Sequence, residues 1–196
     1  MSDPGIVECL KGRGLVHVAG GIKVFDSLDL PATPNTCATR GSRVAAWLAP
    51  GRWLLIGSAE DGERWASLGI PGAAITDLSH GRSIARVSGK DWRGLLSYGC
   101  PLDPETSFTP GRWGCAQSVF SEVPVFMLVP PDGLWIELHA PLSYQTFFWD
   151  MLTACAAPQG YRIARPDDPI PTMAGLEADS LPIEPNTWRH REAAHR

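Results

Sequence analysis

No stretch of this 196-residue sequence stays apolar long enough to cross a bilayer. Its two most apolar segments, Val44–Gly57 and Val123–Val129, fall short of the ~20 residues a membrane helix needs. The first is also broken by Pro50 and Arg52. Met1–Leu10 carries Asp3 and Glu8 and has no basic start followed by an apolar run, so no secretory leader is read there. The cytoplasm is the expected compartment, with no membrane partner. An excess of one charge sign is missing too: 17 Lys and Arg oppose 21 Asp and Glu, for a net charge of −4. No basic field is available to collect phosphates, which excludes a typical nucleic-acid binder. Gly12-Arg13-Gly14 and Gly20-Gly21 are short glycine clusters without GxGxxG or GxxxxGK[ST], so no dinucleotide or P-loop site is read. The five cysteines (9, 37, 100, 115 and 155) are odd in number, scattered and without a CxxC. They read as reduced thiols, not as a disulfide framework or zinc site. No two histidines have the HxH or i, i+4 spacing of metal ligands.

What the chain does have is enough length for one domain with a substantial core, and eight tryptophans. Hydrophobic residues make up 44% and charged residues 19%. Less of the surface than usual therefore carries charge. Glycine and proline contribute 20 and 18 residues, so turns are frequent. Residues 1–42 read as an irregular lead-in holding two short strands, Leu15–Val18 and Ile22–Phe25, and then the loop Pro31–Ser42. Together with the core they make one domain, residues 1–157. Residues 158–196 contain six prolines and little periodicity, and read as an extended tail.

The core alternates strand and helix signals. Val44–Ala49 and Trp53–Gly57 flank Pro50-Gly51 as a hairpin. Asp61 suits the cap of a short helix ending near Leu68. Ser83–Ser88 reads as a strand. Gly89–Tyr98 reads as a helix, with Trp92, Leu95 and Leu96 on one face and Gly99 as its stop. Cys115–Ser121, Val123–Val129 and Leu134–His139 read as three consecutive strands. In the last, Leu134, Ile136 and Leu138 alternate with Trp135, Glu137 and His139, a half-buried pattern. Pro141 suits the first turn of a helix running to about Ala156. The expected class is α+β: an antiparallel sheet with helices packed on one side.

Candidate chemistry is sparse. Asp77, Ser79 and His80 lie within four residues, but triad members converge through tertiary folding, and neighbours on a strand point to opposite faces. A Ser/His hydrolase is therefore the weakest reading. His139 is out of phase with the apolar face of its strand and is expected at the surface or an interface; His17 lies in a short strand. Cys100 sits at a helix end where the dipole disfavours a thiolate. Cys155 reads as packed on a helix face. Asp91, Asp103 and Glu105 suit helix caps. Most of the tryptophans should be core. Trp135 in the polar phase of its strand, Trp113 beside Arg112 in a glycine-rich loop, and Trp188 in the tail are the exceptions. Trp and Arg are typical anchors of protein interfaces, so Arg112, Trp113, Trp135 and Trp188 are the candidate partner-binding residues.

Several segments carry a resemblance. They are Asp77-Leu78-Ser79-His80-Gly81-Arg82-Ser83, Val87-Ser88-Gly89-Lys90-Asp91, Leu95-Leu96, Gly99-Cys100-Pro101-Leu102-Asp103, Pro110-Gly111 and Cys115-Ala116-Gln117, with Trp53-Leu54-Leu55 upstream. Over about residues 40–157 they resemble the gamma subunit of heterotetrameric sarcosine oxidase. More loosely, they resemble the aminomethyltransferase (glycine-cleavage T-protein) family. The resemblance implies an aminomethyltransferase-like folate-binding fold. It also implies a non-catalytic, structural subunit in a complex that demethylates sarcosine or a related N-methyl amine oxidatively and passes the one-carbon unit to tetrahydrofolate. The implied partners are alpha, beta and delta subunits. They would carry FAD, FMN, NAD, tetrahydrofolate and zinc, and this chain would bind no cofactor itself. The Asn-Asp dipeptide of the T-proteins is missing, since the corresponding segment reads Tyr98-Gly99-Cys100-Pro101-Leu102-Asp103. The Lys-Gly-Cys-Tyr-x-Gly-Gln-Glu signature of folate-dependent iron–sulfur assembly proteins is missing as well. The alternative is a stand-alone protein that binds tetrahydrofolate or transfers an aminomethyl group.

Overall fold

A computed structural model describes residues 4–21, 28, 30–89 and 91–166. Chain order runs β1 (Ile6–Leu10), β2 (Arg13–Gly20), β3 (Cys37–Arg40), β4 (Arg43–Ala49), β5 (Arg52–Ser58) and α1 (Ala59–Ala66). It continues through β6 (Ala73–Asp77), β7 (Arg82–Ser88), α2 (Trp92–Ser97), α3 (Pro104–Ser107), β8 (Gly114–Phe120) and β9 (Val123–Val129). The last elements are β10 (Trp135–Pro141), α4 (Gln145–Ala156) and β11 (Arg162–Ala164). No helix among the described residues is long and apolar enough to cross a membrane.

The strands form two sheets, not one. The first has the order β11-β1-β7-β10-β9-β8 and the second β3-β4-β5-β2-β6. Pairing is antiparallel except between β1 and β11. The sheets face each other across Leu15, Val44, Ala46, Leu54, Ile56, Ile84, Cys115, Phe126 and Leu128. On the far side of the six-stranded sheet, Trp92 and Leu95 of α2 and Phe148, Trp149 and Leu152 of α4 cover Val87, Met127, Ile136 and Leu138. On the far side of the five-stranded sheet, Trp65 of α1 packs with Val16, Val18, Trp53 and Leu55. The layers are therefore helix, sheet, sheet, helix. The single sheet with helices on one side is corrected by this second sheet. Its physical sign is in β5, where Trp53 to Gly57 are all buried. A continuous apolar run marks a strand covered on both faces.

Local chemistry explains the ends of the elements. At Pro50-Gly51 the hairpin turns with Gly51 at φ 70°, a conformation glycine takes without a Cβ penalty. Helix α1 starts one residue after Ser58, which is the cap expected of Asp61. Ser58 Oγ accepts from Asp61 N at 3.2 Å, and Asp61 Oδ2 accepts from Ser58 N at 3.1 Å, a reciprocal box. Helix α2 starts at Trp92, later than expected, because Asp91 caps it through Gly94 N. Strand β10 runs on through Pro141, so α4 begins only at Gln145 after a 3-10 turn. Leu142 and Tyr144, which fall ahead of the helix, are 47% and 46% exposed as a result.

Two more boundaries are corrected. The lead-in is not irregular: β1, half of β2 and β3 were not expected, and β1 and β2 lie inside the two sheets. The expected strand Ile22–Phe25 falls outside the described residues. The tail does not begin at 158. Tyr161 packs on the core beneath α4, and β11 pairs in parallel with β1, Val7 opposite Ile163. A deletion from residue 158 would remove an edge strand of the larger sheet.

Gly14 of β2 and Gly62 of α1 allow helix and sheet to touch backbone to backbone. A Cβ on Gly14 would lie 2.1 Å from Ser58 O and 2.5 Å from Gly62 N. Neither atom belongs to a flexible side chain. Gly14→Ala should therefore destabilise the fold by about 3 kcal/mol, the upper range for overpacking. Gly12→Ala, where no atom lies within 4 Å, should cost far less despite its φ of 73°. Urea denaturation of both variants checks the contrast.

Candidate functional site

The side chains of β10 alternate, and both faces are covered. Ile136 and Leu138 point to the helical layer. Glu137 and His139 point between the sheets and are fully buried. This corrects the surface placement expected of His139. Opposite them on β7 stand Arg86, in register with Glu137, and Ile84, in register with His139. From the facing sheet, Arg13 of β2 reaches across.

Glu137 is fully engaged. Its Oε1 accepts from Arg86 at 2.8 Å and from the guanidinium of Arg13. Its Oε2 meets His139 Nε2 at 3.1 Å. Burial alone would raise its pKa, but the bond to His139 and the two arginines outweigh it and hold the carboxyl well below the usual range. Burial depresses the His139 imidazole, and the Glu137 bond offsets this only in part. His139 is thus neutral at pH 7, with Phe126 edge-on to its ring at 5.3 Å. His17 is depressed by its partial burial and by Arg52 and Arg82, and Arg82 acts in the same sense on His139. Three guanidiniums, Arg13, Arg82 and Arg86, thus act on Glu137, His139 or the neighbouring His17, and Glu8 of β1 stands in register with Arg86 from its other side. Two buried polar atoms of the seam between the sheets, Arg86 Nε and His139 Nδ1, have no hydrogen-bond partner among the described residues.

Two of the four candidate interface residues meet at the mouth of this seam. The Arg86 guanidinium lies 4.3 Å from the Trp135 ring centre. Trp113 packs edge-on against Trp135, with centroids 5.8 Å apart at 70°. Both indoles are half-buried. Arg112 is exposed but directed elsewhere, donating to Thr109 Oγ1 at 3.0 Å. The cation beside the tryptophans is thus Arg86, which the sequence reading missed. Its signal was present in the alternation of β7, which puts Arg86 on the same face as apolar Ile84. Trp188 lies outside the described residues.

The other candidates are structural. Ser79 Oγ accepts from Leu15 N at 3.0 Å, and Asp77 Oδ1 accepts from Ser79 N at 2.8 Å. These bonds fasten the β6–β7 turn to β2, and His80 is exposed beside them. Asp91 and Asp103 cap helices. Trp53, Trp92 and Trp149 are core, each donating its indole N–H, to Pro31 O, Gly133 O and Ser83 Oγ. Among the described residues, no three His, Cys, Asp or Glu side chains gather as a metal site. A groove of about 350 Å³ between Pro31, Trp47, Pro50 and Trp53 holds no titratable group.

Glu137→Gln should cost about 3 kcal/mol, because two guanidiniums would lose their anion in a site that excludes most water. Acid should act in the same direction. Both folded pKa values lie below those of the unfolded chain. Stability therefore falls first as the pH drops below about 6.5, where the unfolded imidazole takes a proton that buried His139 refuses. It falls again below about 4.3, where the unfolded glutamate binds a proton. Denaturation midpoints measured from pH 8 to 4 should decline throughout, and His139→Gln should flatten the step between pH 7 and 5.

No family model matches the chain, and no curated protein does. Solved structures do. The chain superposes on heterotetrameric sarcosine oxidase from Corynebacterium sp. U-96, in complex with pyrrole 2-carboxylate, with a TM-score of 0.67 and 17% identity, over 79% of this chain and 84% of that one. It superposes on the glycine cleavage system aminomethyltransferase T from Bartonella henselae with a TM-score of 0.59 and 13% identity, over 83% of this chain and 48% of that one. The chain thus spans about half the length of the aminomethyltransferase. At these identities the likeness is one of fold, and the expected aminomethyltransferase-type α+β architecture is the one observed.

Proposed function

We propose that this chain is a non-catalytic, gamma-type subunit of a multi-subunit, folate-linked complex that oxidises sarcosine or a related N-methyl amine. The observation that carries the reading is the contrast in coverage. The same domain accounts for 84% of a chain in the heterotetrameric oxidase but 48% of the aminomethyltransferase. A body of this size corresponds to a whole subunit in the first case and to a part of an enzyme in the second. The interior agrees with that role. Glu137 spends its acceptor capacity on Arg13, Arg86 and His139, which leaves it no free oxygen for a substrate.

In this reading the complex works in the cytoplasm. FAD, FMN, NAD, tetrahydrofolate and zinc belong to alpha, beta and delta partners. The surface offered to them is the rim formed by Trp113, Trp135 and Arg86, extended by exposed Arg112. Half-buried aromatics beside a desolvated guanidinium are the chemistry of interface anchors.

A second reading has one observation in its favour: three guanidiniums, Arg13, Arg82 and Arg86, gather about the Glu137–His139 pair. A stand-alone tetrahydrofolate binder would turn one of them to the glutamate end of its ligand. Calorimetry with tetrahydrofolate on the isolated chain separates the two, since the subunit reading expects no heat of binding.

The subunit reading is tested by co-expression with the neighbouring genes. The chain should co-purify with a flavin-bearing protein, and isolation as a free monomer would end the proposal. Trp113→Ala combined with Trp135→Ala should weaken the association at least tenfold, since anchor residues contribute about 2 kcal/mol each. Circular dichroism would verify that the variant remains folded.

A further inference from the structure

The edges of the two sheets touch at an antiparallel bridge between Thr36, just before β3, and Gly114, the first residue of β8. One residue further along each strand stand Cys37 and Cys115. Because the strands are antiparallel, the two cysteines are diagonal neighbours, one on each side of the bridged pair, and their side chains leave on the same face, that of the core between the sheets. Cys115 Sγ lies 3.5 Å from Thr36 O and 3.6 Å from Trp47 O, over the peptide that leads into Cys37. Both sulfurs belong to the same apolar cluster between the sheets, close enough to act on each other. Cys115 is buried, while Cys37, on a four-residue edge strand, is partly buried. Cys37 is thus the nearer of the two to solvent, and Cys115 lies deeper.

We infer that Cys37 and Cys115 are a reversible dithiol–disulfide site that, when oxidised, joins the six-stranded sheet to the five-stranded one. With a peroxide as oxidant, the Cys37 sulfur, the less buried of the two, attacks one oxygen, and the O–O bond breaks. The departing hydroxide leaves as water with the thiol proton, and Cys37 becomes a sulfenic acid. The Cys115 sulfur then displaces that hydroxyl. The S–S bond forms and a second water leaves. Two thiols lose two protons and two electrons, and hydrogen peroxide is reduced to two waters. The neighbouring Cys115, and then burial, push the Cys37 thiol up, whereas the same proximity draws Cys115 down. The high Cys37 value makes the site slow, so it remains reduced until oxidant is in excess.

The test uses the purified full chain and hydrogen peroxide in excess. The thiol count should fall from the five cysteines of the sequence to three. The mass should drop by two hydrogens, a linked Cys37–Cys115 peptide should appear after digestion, and dithiothreitol should reverse all three changes. Closing so long a loop should raise Tm by roughly 10 °C. Cys37→Ser should abolish the link, and Cys155→Ser should leave it intact. Because mapping is done on the unaltered chain, a variant that fails to fold does not decide the matter. Five remaining thiols, a link through Cys9, Cys100 or Cys155, a link between two copies, or an unchanged Tm with the bridge formed would each overturn the inference.

Discussion

A carboxylate buried between two sheets costs several kcal/mol unless its charge is met on the spot. Glu137 is met from both sides. Arg86 comes from its own sheet and Arg13 from the facing one, so satisfying the charge requires the sheets to be docked in one relative position. Slipping β10 by one residue would turn Glu137 toward the helical layer, among Met127, Trp149 and Leu152, where no cation stands opposite it. The apolar residues between the sheets supply attraction without much direction. The Glu137 cluster supplies direction.

The tryptophans divide along the same line. Trp53, Trp92 and Trp149 lie in the outer layers with their indole N–H groups satisfied, which makes them packing units with a polar tether. Trp113 and Trp135 lie where the seam opens, and there the stacked guanidinium of Arg86 has one end in the buried cluster and one face on an indole. Arg86 therefore couples the mouth to the interior. Anything that presses on Trp135 presses on the arginine that neutralises Glu137. A rim built this way is stiff, and a stiff surface loses little entropy when a partner binds it.

Much of the order of elements was legible in the sequence, because the turns carry their own chemistry: Pro50-Gly51, Pro131-Asp132-Gly133, and Gly99 followed by Pro101. The number of sheets was not. A strand buried on one face announces itself by alternation, and β10 was read that way. With both faces buried, polar residues in the second phase look solvated even when they are interior, and so Glu137 and His139 were assigned to the surface. Only long-range pairing could reveal their partner, since Arg13 lies 124 residues from Glu137. Strands β1, β3 and β11 are short, and β11 lies in a proline-rich context. Their pairing is fixed by neighbours distant in sequence and not by their own composition. Of the candidate site, Trp113 and Trp135 were identified individually. Their contact, and the arginine between them and the core, required the fold.

The interior chemistry bears on the proposed role in a specific way. A catalytic carboxylate must exchange protons or contact a reacting atom, so its pKa is usually tuned toward the working pH and it keeps a free oxygen lone pair facing a cavity. Glu137 shows the opposite pattern. It is driven further into its charged form, both oxygens are occupied, and the nearest base, His139, is itself neutral and sealed in. Such a group resists titration and holds position. The residues whose surroundings leave them something to bind are at the rim, where Trp113 and Trp135 offer apolar area beside the guanidinium of Arg86. Rigid interior polarity with adhesive capacity at the edge is the distribution expected of a polypeptide that acts by being held against another.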